Sequence, residues 1–346
     1  YIQNQPFVST SFVPEGETDL AMIGSLRAEV LEEPIVTNLE ENLVTKSPTR
    51  ISKTVSSFDR SIEPPFGTPP QLTTPQIWIE TLPNGIKIYG IQHSEVPMIH
   101  FTVRLNGGLL LDEPTKVGVA NMVAEMMMEG TIGKTAEQLE NAINSLGSSI
   151  QVTANRENLT LSGRTLRRNY QQTIALVREI LLEPRWDQSN FDQAKQRIKN
   201  RLYQESTDPN AIASNVFNQL IYGPNEILGA NVLGTLESIQ AITIEDVKSY
   251  HQRNVSASVC SIHIVGDVSP RLAVESLSEL AQDWNSRNVK IPNYHIPDQS
   301  INGQIFFVDV PRASQSVIRV GAMGLSETNP DFFPATIMNL RLGGTF

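Results

Sequence analysis

The chain has 346 residues, of which 40% are hydrophobic and 18% are charged, a composition typical of a folded protein with room for about two ordinary domains. Its formal net charge of −10, from 27 basic and 37 acidic side chains, argues against binding to a nucleic-acid backbone. A single cysteine excludes an internal disulfide and a zinc site built from thiolates, and the lack of a long uncharged apolar run predicts no membrane-spanning helix.

The N-terminal part of the chain differs from the rest in composition. Residues 8–13 are typical of a short strand, but the stretch that follows has little periodicity and many prolines, five of them between residues 64 and 75. Such backbone is usually extended and solvated. Residues 1–63 carry ten acidic and five basic side chains, so this part holds −5 of the net charge. We therefore expect an acidic, proline-rich linker over residues 21–76.

From residue 77 onward the pattern is that of a packed domain. An Asn-Gly turn at 84–85 separates the apolar runs 78–79 and 86–89 and predicts a β-hairpin, because Asn-Gly tolerates the positive φ angles of a tight turn. A third strand is predicted over residues 99–105.

Helices and further strands follow in order. Residues 116–129 are apolar on most faces and predict a buried helix with Gly130 as its C-cap. Thr135 and Gln138 have the spacing of a capping box, so a second helix should begin there. The next predicted elements are a hairpin at 150–154 with 159–166 and three helices at 170–181, 191–202 and 210–221. They are followed by a short capped helix from 243, a strand at 258–265, a helix at 269–284 and two strands at 305–310 and 316–321.

This order of elements predicts the fold class. Antiparallel strands on one side with the helices segregated from them form an α+β layer, and a doubly wound parallel sheet is excluded.

Several runs of residues, in this order, resemble the pitrilysin/insulinase family of metallopeptidases, which includes the mitochondrial processing peptidases. The runs are LPNGIKIY (82–89), GG (107–108), GVANMVAEMMMEGT (118–131), TAEQLENAINSLGSSIQVTANRENLTLSGRTL (135–166) and AITIEDVKSYHQRNVSASVCSIHIVGDVS (241–269). No single run is specific, but the ordered set is. The resemblance implies an insulinase-type domain at 77–290, in which an antiparallel-rich mixed sheet has its helices packed on one face.

The resemblance also divides the rest of the chain. It implies the end of a preceding domain at 1–20, an inter-half linker at 21–76, a short linker at 291–302 and the start of a second, homologous domain at 303–346. We therefore expect this sequence to be an internal stretch of a longer polypeptide, with a zinc-bearing half upstream.

In this family the helix after the Gly-Gly turn contains the zinc-binding motif H-x-x-E-H. A further Glu on a later helix completes the zinc site. Positions i, i+3 and i+4 share one helical face, so two imidazoles can hold one zinc while the carboxylate activates the bound water.

In this sequence the corresponding positions hold other residues. Asn121 and Glu125 replace the two histidines, Ala124 replaces the catalytic Glu, and Ala194 is the best match to the later ligand. None of the five histidines is four residues from another. These residues cannot assemble the zinc site, so the segment is predicted to be non-catalytic and to hold no metal, with zinc expected in the partner half. Asn121 and Glu125 have two interpretations, a residual contact to metal or substrate and a polar pair facing a cavity.

The hairpin at 149–166 is a second candidate site. In the family, an edge strand here lies beside the peptide substrate, which adds to the sheet as a further strand. Gln151, Asn155 and Glu157 lie on or near that strand and are the candidate peptide contacts. A solvated hairpin without a ligand explains the same residues equally well.

Two functions follow from the resemblance. The first is a non-catalytic half of a zinc metallopeptidase, which forms the substrate chamber and positions peptides for a zinc-bearing homologous half, in the same chain or a separate subunit. The alternative is a proteolytically inactive structural subunit of a protein assembly, similar to the respiratory core proteins. For the compartment, the resemblance favours the bacterial periplasm, with the mitochondrial matrix as the alternative.

Overall fold

The structure is a computed structural model, and it describes residues 59, 67–68, 71, 73–224, 226–293, 304–311, 313 and 315–344. The chain divides into two compact units, Tyr1–Gln71 and Leu72–Phe346, and every element below belongs to the second unit. The strand predicted over 8–13, the domain end at 1–20 and nearly all of the linker at 21–76 lie outside the described residues.

The described strands form a large sheet and a small ribbon. They are β1 (Ile77–Thr81), β2 (Lys87–Gln92), β3 (Met98–Asn106), β4 (Gly130–Thr131), β5 (Lys134–Thr135), β6 (Ser149–Ala154), β7 (Asn158–Leu166) and β8 (Cys260–Gly266). Six of them form one sheet in the order β1-β2-β8-β3-β7-β6, and β4 pairs with β5. Only β2 and β8 run parallel in the large sheet, which confirms the antiparallel-rich mixed sheet.

Ten α-helices are described, and those that pack on the sheet lie on one of its faces. The ten helices are α1 (Val119–Met126), α2 (Ala136–Ser145), α3 (Tyr170–Leu182), α4 (Gln188–Glu205), α5 (Pro209–Tyr222), α6 (Leu236–Ala241), α7 (Ile244–Asn254), α8 (Pro270–Ser276), α9 (Ser278–Asp283) and α10 (Phe332–Asn339). None of the described helices combines the length and apolar composition that crossing a bilayer requires.

Strand β3 shows why the sheet has one packed face. Its alternate residues Ile99, Phe101 and Val103 are buried, whereas His100 and Arg104 between them are exposed. Because side chains alternate between the faces of a strand, the first set packs under the helices and the second lies on the open face. The prediction of helices on one face is confirmed.

Local signals in the sequence account for several boundaries. Gly85 has a φ of 89° in the first hairpin turn. Thr135 forms the predicted capping box at the start of α2, and its side chain accepts a hydrogen bond from the amide of Gln138. Thr243 and Asp246 form the same box at α7. These short-range interactions satisfy backbone groups that a helix end leaves without a partner.

The prediction for the first helix was wrong at its C-terminal end. The helix ends at Met126, and Gly130 is not its C-cap but the first residue of β4. Gly130 has a φ of 113°, and a Cβ at this position would lie 2.6 Å from the carbonyl oxygen of Lys134. The glycine is therefore required by the close pairing of the ribbon.

The last predicted elements also differ from the structure. The helix expected over 269–284 is interrupted at Leu277, which separates α8 from α9. The runs 305–310 and 316–321 form no strand, and their side chains at Ile305 and Val320 are more than 90% exposed. An extended run becomes a strand only where a neighbouring backbone supplies hydrogen bonds, and neither run has such a neighbour in the described part of the chain.

Candidate functional site

A buried carboxyl group positions the start of α1. Asp112 accepts hydrogen bonds from the backbone amides of Gly118, at 2.7 Å, and Ala120, at 3.0 Å. The first amides of a helix have no partner within it, so this side chain satisfies two of them. Burial raises the pKa of Asp112 to about 7, although the backbone hydrogen bonds oppose that rise.

Helix α1 has one accessible stripe. Met122, Val123 and Ala124 are at most 1% exposed, while Asn121 and Glu125, four residues apart, are half-buried. The helix packs against α4, α7 and the strand β6. The predicted motif positions on α1 therefore differ in exposure. Asn121 and Glu125 share the accessible stripe, and Ala124 lies in the core.

Two arginines of α4 occupy the space beside that stripe. The Glu125 carboxylate accepts a hydrogen bond from Arg201 at 2.6 Å and forms an ion pair with Arg197 at 3.5 Å. Arg197 also pairs with Glu129. We call Glu125, Glu129, Arg197 and Arg201 the Glu–Arg cluster; its carboxylate side chains are 19% exposed, and its guanidinium side chains 46% and 53%.

The fourth predicted position lies on the same helix as these arginines. Ala194 is fully buried, and Arg197 and Arg201 follow it by three and seven residues. This spacing places all three along one side of a helix. The structure thus brings the helix of Asn121 and Glu125 against the helix of Ala194, but it joins them through arginines that the sequence analysis missed. The i+3 and i+7 spacing from Ala194 was the signal that could have identified them.

The residues at the motif positions do not fit a zinc ion. Glu125 is the only carboxylate among the four, and its oxygens are engaged by two guanidinium groups that would repel a divalent cation. The side-chain nitrogen of Asn121 is buried without a hydrogen-bond partner among the described residues, but an amide nitrogen is not a zinc ligand. No group of three or more His, Cys, Asp or Glu that could hold a metal occurs in the described part of the chain.

A cavity of about 410 Å³ adjoins the Glu–Arg cluster. Arg201 lines it together with Gln204, Glu205, Asp208 and Leu233. Glu205 accepts a hydrogen bond from the side chain of Asn231 at 2.6 Å, and Asp208 caps the start of α5. The accessible side of the cluster therefore opens into a small polar space.

The second candidate site is the hairpin of β6 and β7. Strand β6 is the last in the sheet order, so its outer edge has no strand partner among the described residues. Gln151 is exposed on this strand and donates a hydrogen bond to Ser162 at 3.1 Å. The edge strand lies against α1, so the two candidate sites are neighbours.

The other two predicted peptide contacts lie in the turn of this hairpin. The side-chain oxygen of Asn155 accepts hydrogen bonds from the amides of Glu157, at 2.9 Å, and Asn158, at 2.7 Å. The carbonyl oxygen of Glu157 accepts from the amide of Gly107 at 2.6 Å. These interactions hold the turn against the Gly-Gly segment that leads to α1, so part of the hydrogen-bonding capacity of Asn155 is used within the fold.

Two family models match the chain. The model described as insulinase (peptidase family M16) matches residues 92–227, and the model described as peptidase M16 inactive domain matches residues 241–346.

Curated relatives agree with these matches. A probable mitochondrial-processing peptidase subunit beta of Arabidopsis thaliana is 22% identical over 276 residues, which cover 79% of this chain and 51% of the relative. The non-peptidase homolog YmxG of Helicobacter pylori is 21% identical over 252 residues, 72% of this chain and 57% of the relative. The chain thus spans little more than half the length of these relatives.

Solved structures share the fold. A peptidase M16 inactive domain from Pseudomonas fluorescens has a TM-score of 0.59 at 21% identity, covering 63% of this chain and 53% of that one. The periplasmic protease PqqL of Escherichia coli has a TM-score of 0.59 at 16% identity, covering 66% of this chain and 26% of that one.

Proposed function

The chain belongs to the insulinase family of metallopeptidases, peptidase family M16, and from this premise we propose that it is the non-catalytic half of a zinc metallopeptidase. In this role it forms one wall of a substrate chamber. It holds a peptide in place while a homologous half that carries the zinc cleaves it.

The observation that carries this proposal is the Glu–Arg cluster. At the positions where the family binds zinc, this chain has Asn121, Ala124, Glu125 and Ala194, and ion pairs from Glu125 to Arg197 and Arg201 join α1 to α4. The helix pair is retained without the groups that bind metal or activate water. A domain that has the fold but lacks the zinc ligands and the water-activating carboxylate is suited to enclosing or binding the substrate.

The edge of β6 supports peptide binding. An extended peptide can add to an exposed sheet edge through its backbone hydrogen bonds, and neighbouring side chains then set the preference for its sequence. Gln151 lies on this edge strand, and Asn155 and Glu157 lie at the end of the hairpin. We assign these three residues as the peptide-contacting set.

The proposed partner is a homologous half with an intact H-x-x-E-H helix, in the same polypeptide or in a separate subunit. Zinc belongs to that half, because the motif positions of this chain do not fit it. The peptide substrate is held between the two halves.

A second candidate is a structural subunit without a role in proteolysis. The relative from Helicobacter pylori is named a non-peptidase homolog, which favours this alternative. In addition, the open face of the sheet exposes Ile77 and Ile79, at 61% and 60%, which are apolar groups that another protein could cover.

A peptide-binding experiment tests the first candidate. Photoreactive peptides are cross-linked to the chain, and the labelled residues are mapped by mass spectrometry; we expect labels on β6 and at the turn of its hairpin. Peptides with alternate backbone amides N-methylated should bind more weakly than unmethylated ones, because strand addition uses those N–H groups. Addition of a zinc-bearing homologous half should then allow cleavage of the unmethylated peptide.

Three results would argue against the proposal. They are stoichiometric zinc bound by this chain alone, cross-links that avoid β6, and peptide cleavage by the zinc-bearing half that is unaffected by this chain. The last result, together with purification of this chain in a stoichiometric protein complex, would favour the structural subunit.

A further inference from the structure

A larger cleft lies away from the Glu–Arg cluster. It has a volume of about 630 Å³ and is bounded by the C-terminal end of α3, the middle of α7 and the segment that follows α9. It shares no lining residue with the Glu–Arg cluster or with the cavity beside it. A volume of this order is typical of sites for small organic ligands.

The cleft has an apolar floor and an aromatic wall. Leu181, Val255 and Trp284 line it and are less than 5% exposed. Trp186 meets the ring of His251 edge-on, with 5.3 Å between ring centroids. The ring nitrogen Nε2 of His251 lies 2.9 Å from the carbonyl oxygen of Leu181, which fixes the orientation of the imidazole. The cleft therefore has a fixed apolar side on which an apolar group of a ligand can pack.

The two carboxylates that line the cleft share one guanidinium group. Glu183 and Asp283 both form ion pairs with Arg178, at 2.9 Å and 2.5 Å. One guanidinium group balances the charge of one carboxylate. One negative charge of this group of three therefore remains and offsets one of the other cations of the cleft.

Two lining arginines have no such partner. Arg185 and Arg287 line the cleft, and neither forms an ion pair within the described part of the chain. Lys248 adds a third positive charge, and its ion-pair partner among the described residues is Glu245, an exposed neighbour at i−3. The charge of Arg287 also acts at the imidazole, since burial and Arg287 together lower the pKa of His251. With Arg178 and the three acids included, the cleft keeps a net charge of +1, and its two arginines without an ion pair are available to an anion.

We propose that this cleft binds a carboxylate joined to an aromatic or branched apolar group, supplied by a free organic acid or by the C-terminus of a peptide. The guanidinium groups of Arg185 and Arg287 bind the carboxylate, because a guanidinium group matches its planar geometry. The apolar group packs on Trp186 and the buried floor, which gains from removing apolar surface from water.

Calorimetric titration of the full chain tests this proposal with matched probes. The probes are N-acetyl-phenylalanine and its amide, and a tetrapeptide ending in phenylalanine with a free or an amidated C-terminus. We expect each acid to bind at least about tenfold more tightly than its amide. The R185Q/R287Q variant should lose at least about tenfold in affinity for the acids. Tighter binding of the tetrapeptide acid than of N-acetyl-phenylalanine identifies a peptide C-terminus as the source, and equal binding identifies a free acid.

The matched control is R168Q/R271Q, which removes the same charge from two exposed arginines outside the cleft. It should retain the affinity of the parent chain, and thermal unfolding checks that both variants fold. The proposal is overturned by equal binding of acid and amide, by unchanged affinity in R185Q/R287Q, by equal losses in the control, or by no binding of either acid up to about 10 mM.

Discussion

The carboxylate of Glu125 on α1 accepts a hydrogen bond of 2.6 Å from the guanidinium group of Arg201 on α4, although the two residues are 76 positions apart. The sequence predicts that α1 and α4 correspond to the helices that carry the zinc ligands in catalytic members of the family. In this structure the two helices are joined by ion pairs between Glu125 and two arginines.

The Glu125–Arg201 pair should contribute modestly to stability. Glu125 is largely buried but Arg201 is half-exposed, so the coupling should be about 0.5–1.5 kcal/mol, at or slightly above the range for exposed pairs. It is measured by a double-mutant cycle of Glu125→Gln and Arg201→Gln in urea unfolding. The matched control is the pair of Glu245 and Lys248, where the coupling should be about 0.5 kcal/mol or less. A coupling near zero for the first pair would mean that the cluster does not hold α1 to α4.

Zinc binding by a chain with the family's motif should strengthen when the arginines are also removed. The variant Asn121→His, Ala124→Glu, Glu125→His, Ala194→Glu supplies two imidazoles, the water-activating carboxylate and the later carboxylate ligand at the predicted positions, but Arg197 and Arg201 still repel the cation. Adding Arg197→Gln and Arg201→Gln should tighten zinc binding by at least about tenfold, measured by competition with a chromophoric chelator.

Thermal unfolding gives a second readout of the same variants. Ala124 and Ala194 are buried, so glutamates there should destabilise the metal-free protein, and zinc should raise its melting temperature. If the four-residue variant binds zinc as tightly as the six-residue variant, the arginines are not the obstacle.

The stability of the fold should carry a pH dependence from Asp112. Burial raises its pKa to about 7, above the value of about 3.9 in an unfolded chain, so between these values the folded state keeps a proton that the unfolded state has lost. This contribution to the free energy of unfolding should therefore fall as the pH rises from about 4 to about 7.

Comparison with Asp112→Asn isolates this contribution, because the variant cannot ionise. The free energy of unfolding of the parent chain minus that of the variant, from urea titrations, should decrease with pH over this window and then level off. A difference that grows with pH would instead show that the hydrogen bonds to Gly118 and Ala120 keep the carboxyl ionised.

Gly118 should not tolerate a side chain. It precedes α1 with a φ of 107°, and a Cβ there would lie 2.8 Å from both a side-chain carbon of Ile239 and the carbonyl oxygen of Leu233. Gly118→Ala should therefore cost at least about 2 kcal/mol in the free energy of unfolding, from left-handed backbone strain and steric overlap.

The control for this substitution is Gly133→Ala. A Cβ at Gly133 has no atom within 4 Å, so the change in the free energy of unfolding should stay within about 0.5 kcal/mol. Equal effects of the two substitutions would contradict the tight approach of α6 to the start of α1.

Local interactions explain what could be predicted. The turn at Gly85 and the capping box of Thr135 and Gln138 depend on residues within a few positions of each other. Both features could therefore be predicted from the sequence. The third strand was likewise predicted over residues 99–105, within β3 at Met98–Asn106. The end of α1 was missed because Gly130 is constrained by its pairing with Thr135 of β5, not by the helix before it.

The sequence by itself determined the fold class, the family and the absence of histidines at Asn121 and Glu125, because these depend on residue identity and short spacing. Only the tertiary structure decided that Arg197 and Arg201 reach Glu125, and that Arg185 and Arg287 line one cleft whose two carboxylates pair with Arg178. The physical reason is that ion pairs and clefts join side chains from distant parts of the chain. Which side chains meet depends on how the helices pack on the sheet, and a local sequence pattern does not predict that packing.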